Sequence, residues 1–143
     1  MYKIPVSVLV VIHAPDLQVL LLERADHPGY WQSVTGSQDP GETLLQTATR
    51  EVTEETGLNV DDYVLTDWHI ENRYEIYEEW RWRYGPNVHF NTEHVFGLYL
   101  PAVTPIKIST REHLNYCWLP WQQAAEKVFS SSNAEAIRRL PTC

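Results

Sequence analysis

Glu51, Glu54 and Glu55 fall within five positions of one another, directly after Arg50, and Glu42 lies eight residues before that arginine. On a helix, Glu51 and Glu55 stand at i and i+4 and Glu54 at i+3 from Glu51, so the three carboxylates leave adjoining turns. Like charges at that spacing destabilise a helix by a few tenths of a kcal/mol per pair (about 0.2–0.5), and they raise one another's pKa unless a cation is present. Clustered oxygen donors without a soft ligand suit hard divalent ions, Mg²⁺ first and Mn²⁺ next. Arg50 is placed to pair with Glu54 at i+4 and to hold the carboxylates in position. An ion held there neutralises phosphate oxygens and acidifies water, so an acidic helix can serve a substrate as negative as itself.

The preceding loop sharpens the point. Gly36 and Gly41 are spaced as in a phosphate-binding G-x-x-x-x-G-K-[ST] loop and Thr43 takes the Ser/Thr slot, but Glu42 stands where lysine is required, which excludes a P-loop NTPase. G-x-S-x-G, H-E-x-x-H and H-x-E with P-C-x-x-C are absent. The six histidines are scattered; His89 and His94 are five apart with no thiolate partner and read as strand residues. Cys117 and Cys143 offer neither a disulfide framework nor a metal spacing, and a reducing cytoplasm is the expected location.

The elements that must position these groups are legible from pattern. The T-x-x-Q pair Thr43 and Gln46 forms a capping box, Leu45, Ala48 and Val52 give one buried stripe, and Gly57 fits the left-handed C′ position before Leu58. The spacing therefore predicts one helix over residues 43–56. Residues 3–12 and 19–24 read as a strand hairpin across HAPDLQ, and WQSVTG (31–36) as a short extended segment. VLTDWHIENRYEIYEEWRWRYG alternates, with Tyr74, Ile76, Glu78, Trp80, Trp82 and Tyr84 on one parity, and is expected to run as a strand to the turn at 85–87. VHFNTEHVFGLYL and NYCWLP add strands, residues 121–129 a helix, and Asn133 is expected to cap a last short helix. This order implies an α/β fold, a mixed sheet with helices packed on it.

A chain of 143 residues is expected to form one domain, and the first apolar run is too short to span a bilayer. A net charge of −8 argues against a nucleic-acid polymer as partner and leaves a small anionic ligand, provided local cations counter the overall field.

The full stretch reads Gly36, five residues, Glu42, seven residues, Arg50-Glu51-Val52, one residue, Glu54-Glu55, one residue, Gly57-Leu58. It resembles the Nudix box, G-x5-E-x7-R-E-U-x-E-E-x-G-U with U a bulky aliphatic, at every specified position. The resemblance implies a Mg²⁺-dependent hydrolase, with Mn²⁺ as substitute, on an α/β/α sandwich with a central mixed sheet. Carried over by position, Glu51 and Glu55 are metal ligands, Glu54 a ligand or the catalytic base, and Arg50 the residue that orients a glutamate. The flanking strings WQSVTGS, LLLER, RYEIY, RWRY, NTEH and REHLNYCWL look like those of the folate-pathway branch, whose substrate is a pterin triphosphate. That likeness implies Lys3 and Arg24 at the triphosphate, Thr35 as a hydrogen-bonding contact, and Tyr74, Glu75, Ile76 and Tyr77 around the ring. It also implies Glu112 as a further metal ligand and Ser130 as a polar contact. The enzyme alternative acts on dATP or oxidised purine nucleotides; a non-catalytic nucleotide-binding module is a third reading, against which all box glutamates are retained. A monomer or weak homodimer, without membrane association, is expected.

Overall fold

The β-branched run after Pro5 forms β1 (Val6–Ala14), a tight turn follows, and β2 (Gln18–Arg24) returns antiparallel to it. The computed structural model of the chain describes residues 1–142; Cys143, one of the two cysteines weighed above, lies outside them. WQSVTG and the serine after it divide into two strands, β3 (Trp31–Gln32) and β4 (Val34–Ser37). Then come α1 (Leu44–Thr56), β5 (Val64–Glu75), β6 (Phe90–Tyr99), β7 (His113–Pro120), α2 (Trp121–Lys127) and α3 (Ser131–Arg138).

One seven-stranded sheet runs β3-β2-β1-β6-β5, with β4 also on β1 and β7 on β2. β1 and β6 are parallel while the other pairs are antiparallel, so the sheet is mixed as expected. β1 is the hub: β4 takes its N-terminal half, Ser7 to Val10, and β2 pairs only with its last two residues. Strand alternation sends Val8, Val10 and Ile12 to the face packed by Ala48 and Val52 of α1. Leu9 and Val11 go to the opposite face, under Ala124, Ala125, Ala134 and Ile137 of α2 and α3. The result is an α/β/α sandwich. Among the described residues no helix is long and apolar enough to cross a membrane.

Helix α1 has the expected ends. The Thr43 hydroxyl accepts from the Gln46 amide and the Gln46 side chain accepts from the Thr43 amide, while Gly57 closes the helix at φ 73°. Its stripe differs from expectation: Leu45 is 54% exposed and Leu44 packs on the core instead. The remainder of the inward face is filled by Thr47, Glu51, Glu55 and Thr56.

Two further expectations are corrected. The strand ends at Glu75, and Glu78–Arg83 form a 3-10 turn. Its acids lie in the first turn and its arginines in the last, which the helix dipole favours. In a 3-10 turn i and i+3 eclipse, so Tyr77, Trp80 and Arg83 form a row that two-residue alternation cannot anticipate. Asn133 is not a cap: Ser130 caps α3, accepting from the Asn133 amide. The buried Asn133 side chain instead spans to Ser33, accepting from its N–H at 2.8 Å and donating to its Oγ at 3.0 Å.

Candidate active site

A cavity of about 480 Å³ opens between the end of α1, the β1/β4 pair, the 3-10 turn and the start of α3. Among the residues expected to act, Lys3, Arg24, Thr35, Glu51, Glu55 and Glu112 border it, as do the run Tyr74 to Tyr77 and Ser130. Arg50 and Glu54 do not.

Glu51 and Glu55 reach the cavity past β4. An added Cβ on Gly36 would stand 2.0 Å from the Glu51 carboxyl carbon, so the absence of a side chain there is what lets the carboxylate through. Glu55 is 2% exposed and neither of its oxygens has a hydrogen-bond partner. His113 at the head of β7 approaches, Nε2 to Oε1 3.5 Å, without forming a hydrogen bond. Burial, and then the neighbouring Glu51 carboxylate, push the Glu55 pKa well above its ordinary value; Glu51 is also raised, by burial first. Burial lowers His113 to about 4, so the imidazole is neutral and brings no compensating charge.

A buried carboxylate with both oxygens orphaned is costly unless something pairs with it. An all-oxygen donor set beside an open cavity fits a hard divalent cation. Among the described residues no three His, Cys, Asp or Glu side chains are already gathered for such an ion, so the expected set of Glu51, Glu54, Glu55 and Glu112 is not assembled as one cluster. Glu112 borders the same cavity from the loop before β7, whereas Glu54 is half exposed and turned toward Arg50. Two carboxylates are nevertheless the usual protein share for Mg²⁺, which keeps waters and takes substrate phosphates as its other ligands.

Arg50 is a brace. Its guanidinium donates to both oxygens of Glu42 (2.7 and 3.0 Å), to Glu51 Oε1 (2.6 Å) and to the Ser37 carbonyl (3.0 Å); the anticipated Glu54 contact is long, 3.4 Å. Hydrogen bonding from Arg50 holds Glu42 down at about 2. Glu42 also accepts from the Asp39 amide and the Thr47 hydroxyl, which ties the loop to the helix.

Cations face these acids. Lys3, joined to the 3-10 turn through its N–H to the Arg83 carbonyl at 2.8 Å, has its pKa lowered by burial first and next by the Arg83 charge. Arg24 forms a bidentate pair with Asp26 at 2.7 Å, and Arg83 reaches the same carboxylate at 3.2 Å. The Arg24 guanidinium lies 4.6 Å over the Trp80 ring, which in turn stacks on Tyr77. Arg83, Asp26, Trp80 and His113 escaped the sequence reading. The i, i+3 spacing of Tyr77, Trp80 and Arg83 is the signal that could have found two of them.

Nearer the sheet, Ile76 is buried, and the Tyr74 hydroxyl, raised to about 12 chiefly by burial, accepts from Asn91 Nδ2 at 3.0 Å. Glu75, expected to receive ring N–H groups, is largely exposed and pairs with Arg81 at 3.2 Å. Thr35 donates its hydroxyl proton to the Val8 carbonyl at 2.9 Å and keeps only acceptor capacity. Ser130 is occupied as the α3 cap while bordering the cavity.

The NUDIX domain model matches residues 3–140. The chain is 46% identical over 142 residues to the dihydroneopterin triphosphate diphosphatase of Escherichia coli (strain K12), covering 97% of this chain and 93% of that protein. It is 38% identical over 146 residues to the protein of the same name from Haemophilus influenzae, covering 96% and 88%. The solved structure of the E. coli dihydroneopterin triphosphate pyrophosphohydrolase superposes with a TM-score of 0.92, at 46% identity, over 97% of this chain and 96% of that one. The chain belongs to the NUDIX family, and it is a hydrolase of the Nudix type.

Proposed function

We propose that the chain hydrolyses dihydroneopterin triphosphate, with Mg²⁺ as cofactor, to dihydroneopterin monophosphate and pyrophosphate. The observation that carries this reading is the make-up of a single cavity, which borders on the orphaned carboxylate of Glu55, on Glu51 and Glu112, on the four cationic side chains Lys3, Arg24, Arg83 and Arg111, and on an aromatic and polar lining of a size for a flat bicyclic ring. The names of the relatives at 46% and 38% identity point the same way.

In this reading Glu51 and Glu55 hold the metal, with Glu112 reaching the same space. When bound, Mg²⁺ supplies neutralisation of phosphate oxygens and acidifies water. Lys3, Arg24 and Arg83 receive the triphosphate and stabilise charge on the departing diphosphate. Asp26 keeps the two guanidiniums oriented, and Arg50 fixes Glu51 from outside the cavity. In this reading the water's proton passes to a carboxylate that borders the cavity, Glu51, Glu55 or Glu112, in preference to Glu54, which does not line it. Tyr77 and Trp80, stacked on each other, form with Phe129 an aromatic wall of the cavity for the flat ring.

Identification of both products formed from dihydroneopterin triphosphate with Mg²⁺, beside a panel of nucleoside triphosphates including dATP, tests the proposal. Pyrophosphate plus the monophosphate, formed faster than from any nucleotide, is the expected result; a clear preference for a nucleotide overturns it.

A further inference from the structure

Two polar side chains of β6 remain unexplained by the chemistry of the phosphates. Asn91 and Glu93 share the parity of Val95 and so face the α2/α3 side of the sheet, where both border the cavity. Each is nearly inaccessible, 2% and 4% exposed. Asn91 donates to Ser7 Oγ at 2.7 Å and to the Tyr74 hydroxyl at 3.0 Å, while its Oδ1 has no partner. Glu93 receives one long hydrogen bond, 3.4 Å from Asn72 Nδ2, and the Ser132 hydroxyl faces it. Among the described residues neither carboxylate oxygen of Glu93 has an ion-pair partner, and burial raises its pKa.

An orphaned acceptor beside a weakly satisfied carboxylate, two residues apart on one strand, makes a surface that accepts hydrogen bonds and does not donate them. Its complement is a ring edge with adjacent donors. A 2-amino-4-oxo heterocycle presents such an edge, a ring N–H next to an exocyclic amino group; an adenine edge, with its ring nitrogen acceptor, does not. We propose that Glu93, assisted by Asn91, is the specificity-determining residue of this cavity, accepting from the ring N–H and 2-amino group of a pterin- or guanine-type base. The proposal rests on the triphosphate reading above but moves ring recognition from the exposed Glu75 to the buried Glu93.

Equilibrium binding of the α,β-methylene analogues of GTP and ITP, which differ by the 2-amino group, provides the test, with turnover of dihydroneopterin triphosphate, GTP and dATP alongside. The unaltered protein is expected to bind the guanine analogue at least tenfold more tightly than the hypoxanthine one. Glu93→Gln places an N–H where an acceptor is needed. It should weaken guanine binding and raise KM for the pterin substrate by roughly 10- to 100-fold, the scale of a lost charge-assisted hydrogen bond. Its kcat and dATP turnover should shift less than about threefold, and the hypoxanthine analogue, which keeps the ring N–H but has no 2-amino group, should weaken by a smaller factor than the guanine one. Should Glu93→Gln fail to fold, Glu93→Asp, which withdraws the carboxylate by one methylene, must show the same selectivity loss. An unchanged guanine-to-hypoxanthine ratio in the variant, or an equal loss on every ligand, overturns the assignment. Because binding is read without turnover, a protein that cleaves none of these substrates overturns the proposed function while the Glu93 assignment is still decided. Comparison of the pterin and GTP arms separates the two sources of the shared edge.

Discussion

Helix α1 carries charge on two sides, and the two are treated in opposite ways. On the outer side every formal charge has a partner: Arg50 binds Glu42 and Glu51, lies 3.4 Å from both Asp39 and Glu54, and holds the Glu42 carboxyl at about 2. On the inner side Glu55 is buried with two orphaned oxygens, and its nearest basic neighbour, His113, is held neutral by burial. Paired charges fix the loop to the helix and hold their shape. An unpaired buried carboxylate instead stores electrostatic free energy that falls when a cation arrives. One helix thus carries both a braced outer face and an unpaired inner carboxylate, with Glu51 held by Arg50 on one side and bordering the cavity on the other.

The sharpest way to break this contrast is Glu55→Gln, which should lower kcat by about 10³-fold or more, the scale of several kcal/mol of metal-derived stabilisation, with far-UV circular dichroism unchanged. Gly36→Ala comes next. The added Cβ must push the Glu51 carboxylate out of its path, and an activity loss of roughly 100-fold is expected with a stability cost of about 1–3 kcal/mol; denaturant unfolding and steady-state rates separate the two effects. Arg50→Met removes the brace and leaves Glu42 and Glu51 without it, so stability should fall by about 2 kcal/mol and activity by at least tenfold. Glu54→Gln touches only a long, half-exposed contact, and its rate loss should be at least tenfold smaller than that of Glu55→Gln.

A pH series sharpens the contrast from the other direction. The folded-state pKa of Glu55 is raised, so the metal-free protein binds more protons folded than unfolded across the interval between the two values. The associated stability is fully present below the ordinary glutamate value and is lost as pH rises through the folded one. Glu42 has the opposite sign: its stabilisation is present above the ordinary value and disappears as pH falls toward about 2. In chelator, Glu55→Gln should therefore melt higher than the unaltered protein at pH 7.5, by roughly 2–8 °C for about 1 kcal/mol. The difference should vanish near pH 4.

The box helix could be read in advance because its information is local: cap, stripe, left-handed glycine and carboxylates all follow from spacings of three, four or seven. The wall of the cavity could not. Tyr77, Trp80 and Arg83 align because the chain leaves the sheet for a 3-10 turn, a change of period hidden in continuing alternation of large and charged residues. Asn91 and Glu93 looked like ordinary alternating strand positions, and His113 like one more strand residue. Their significance arises only when β6 lies beside β1 and β7 beside β2, bringing together residues far apart in sequence. Leu45 misled because Leu44 satisfies the same helical period one position away.

Calorimetric titration of Mn²⁺ at pH 7.5 into the metal-free protein and into Glu55→Gln addresses the orphaned carboxylate itself. The account predicts saturable binding by the unaltered protein, accompanied by a rise in its melting temperature, and neither effect in the variant. Equal affinity in both proteins, or no uptake by the unaltered one, would contradict it.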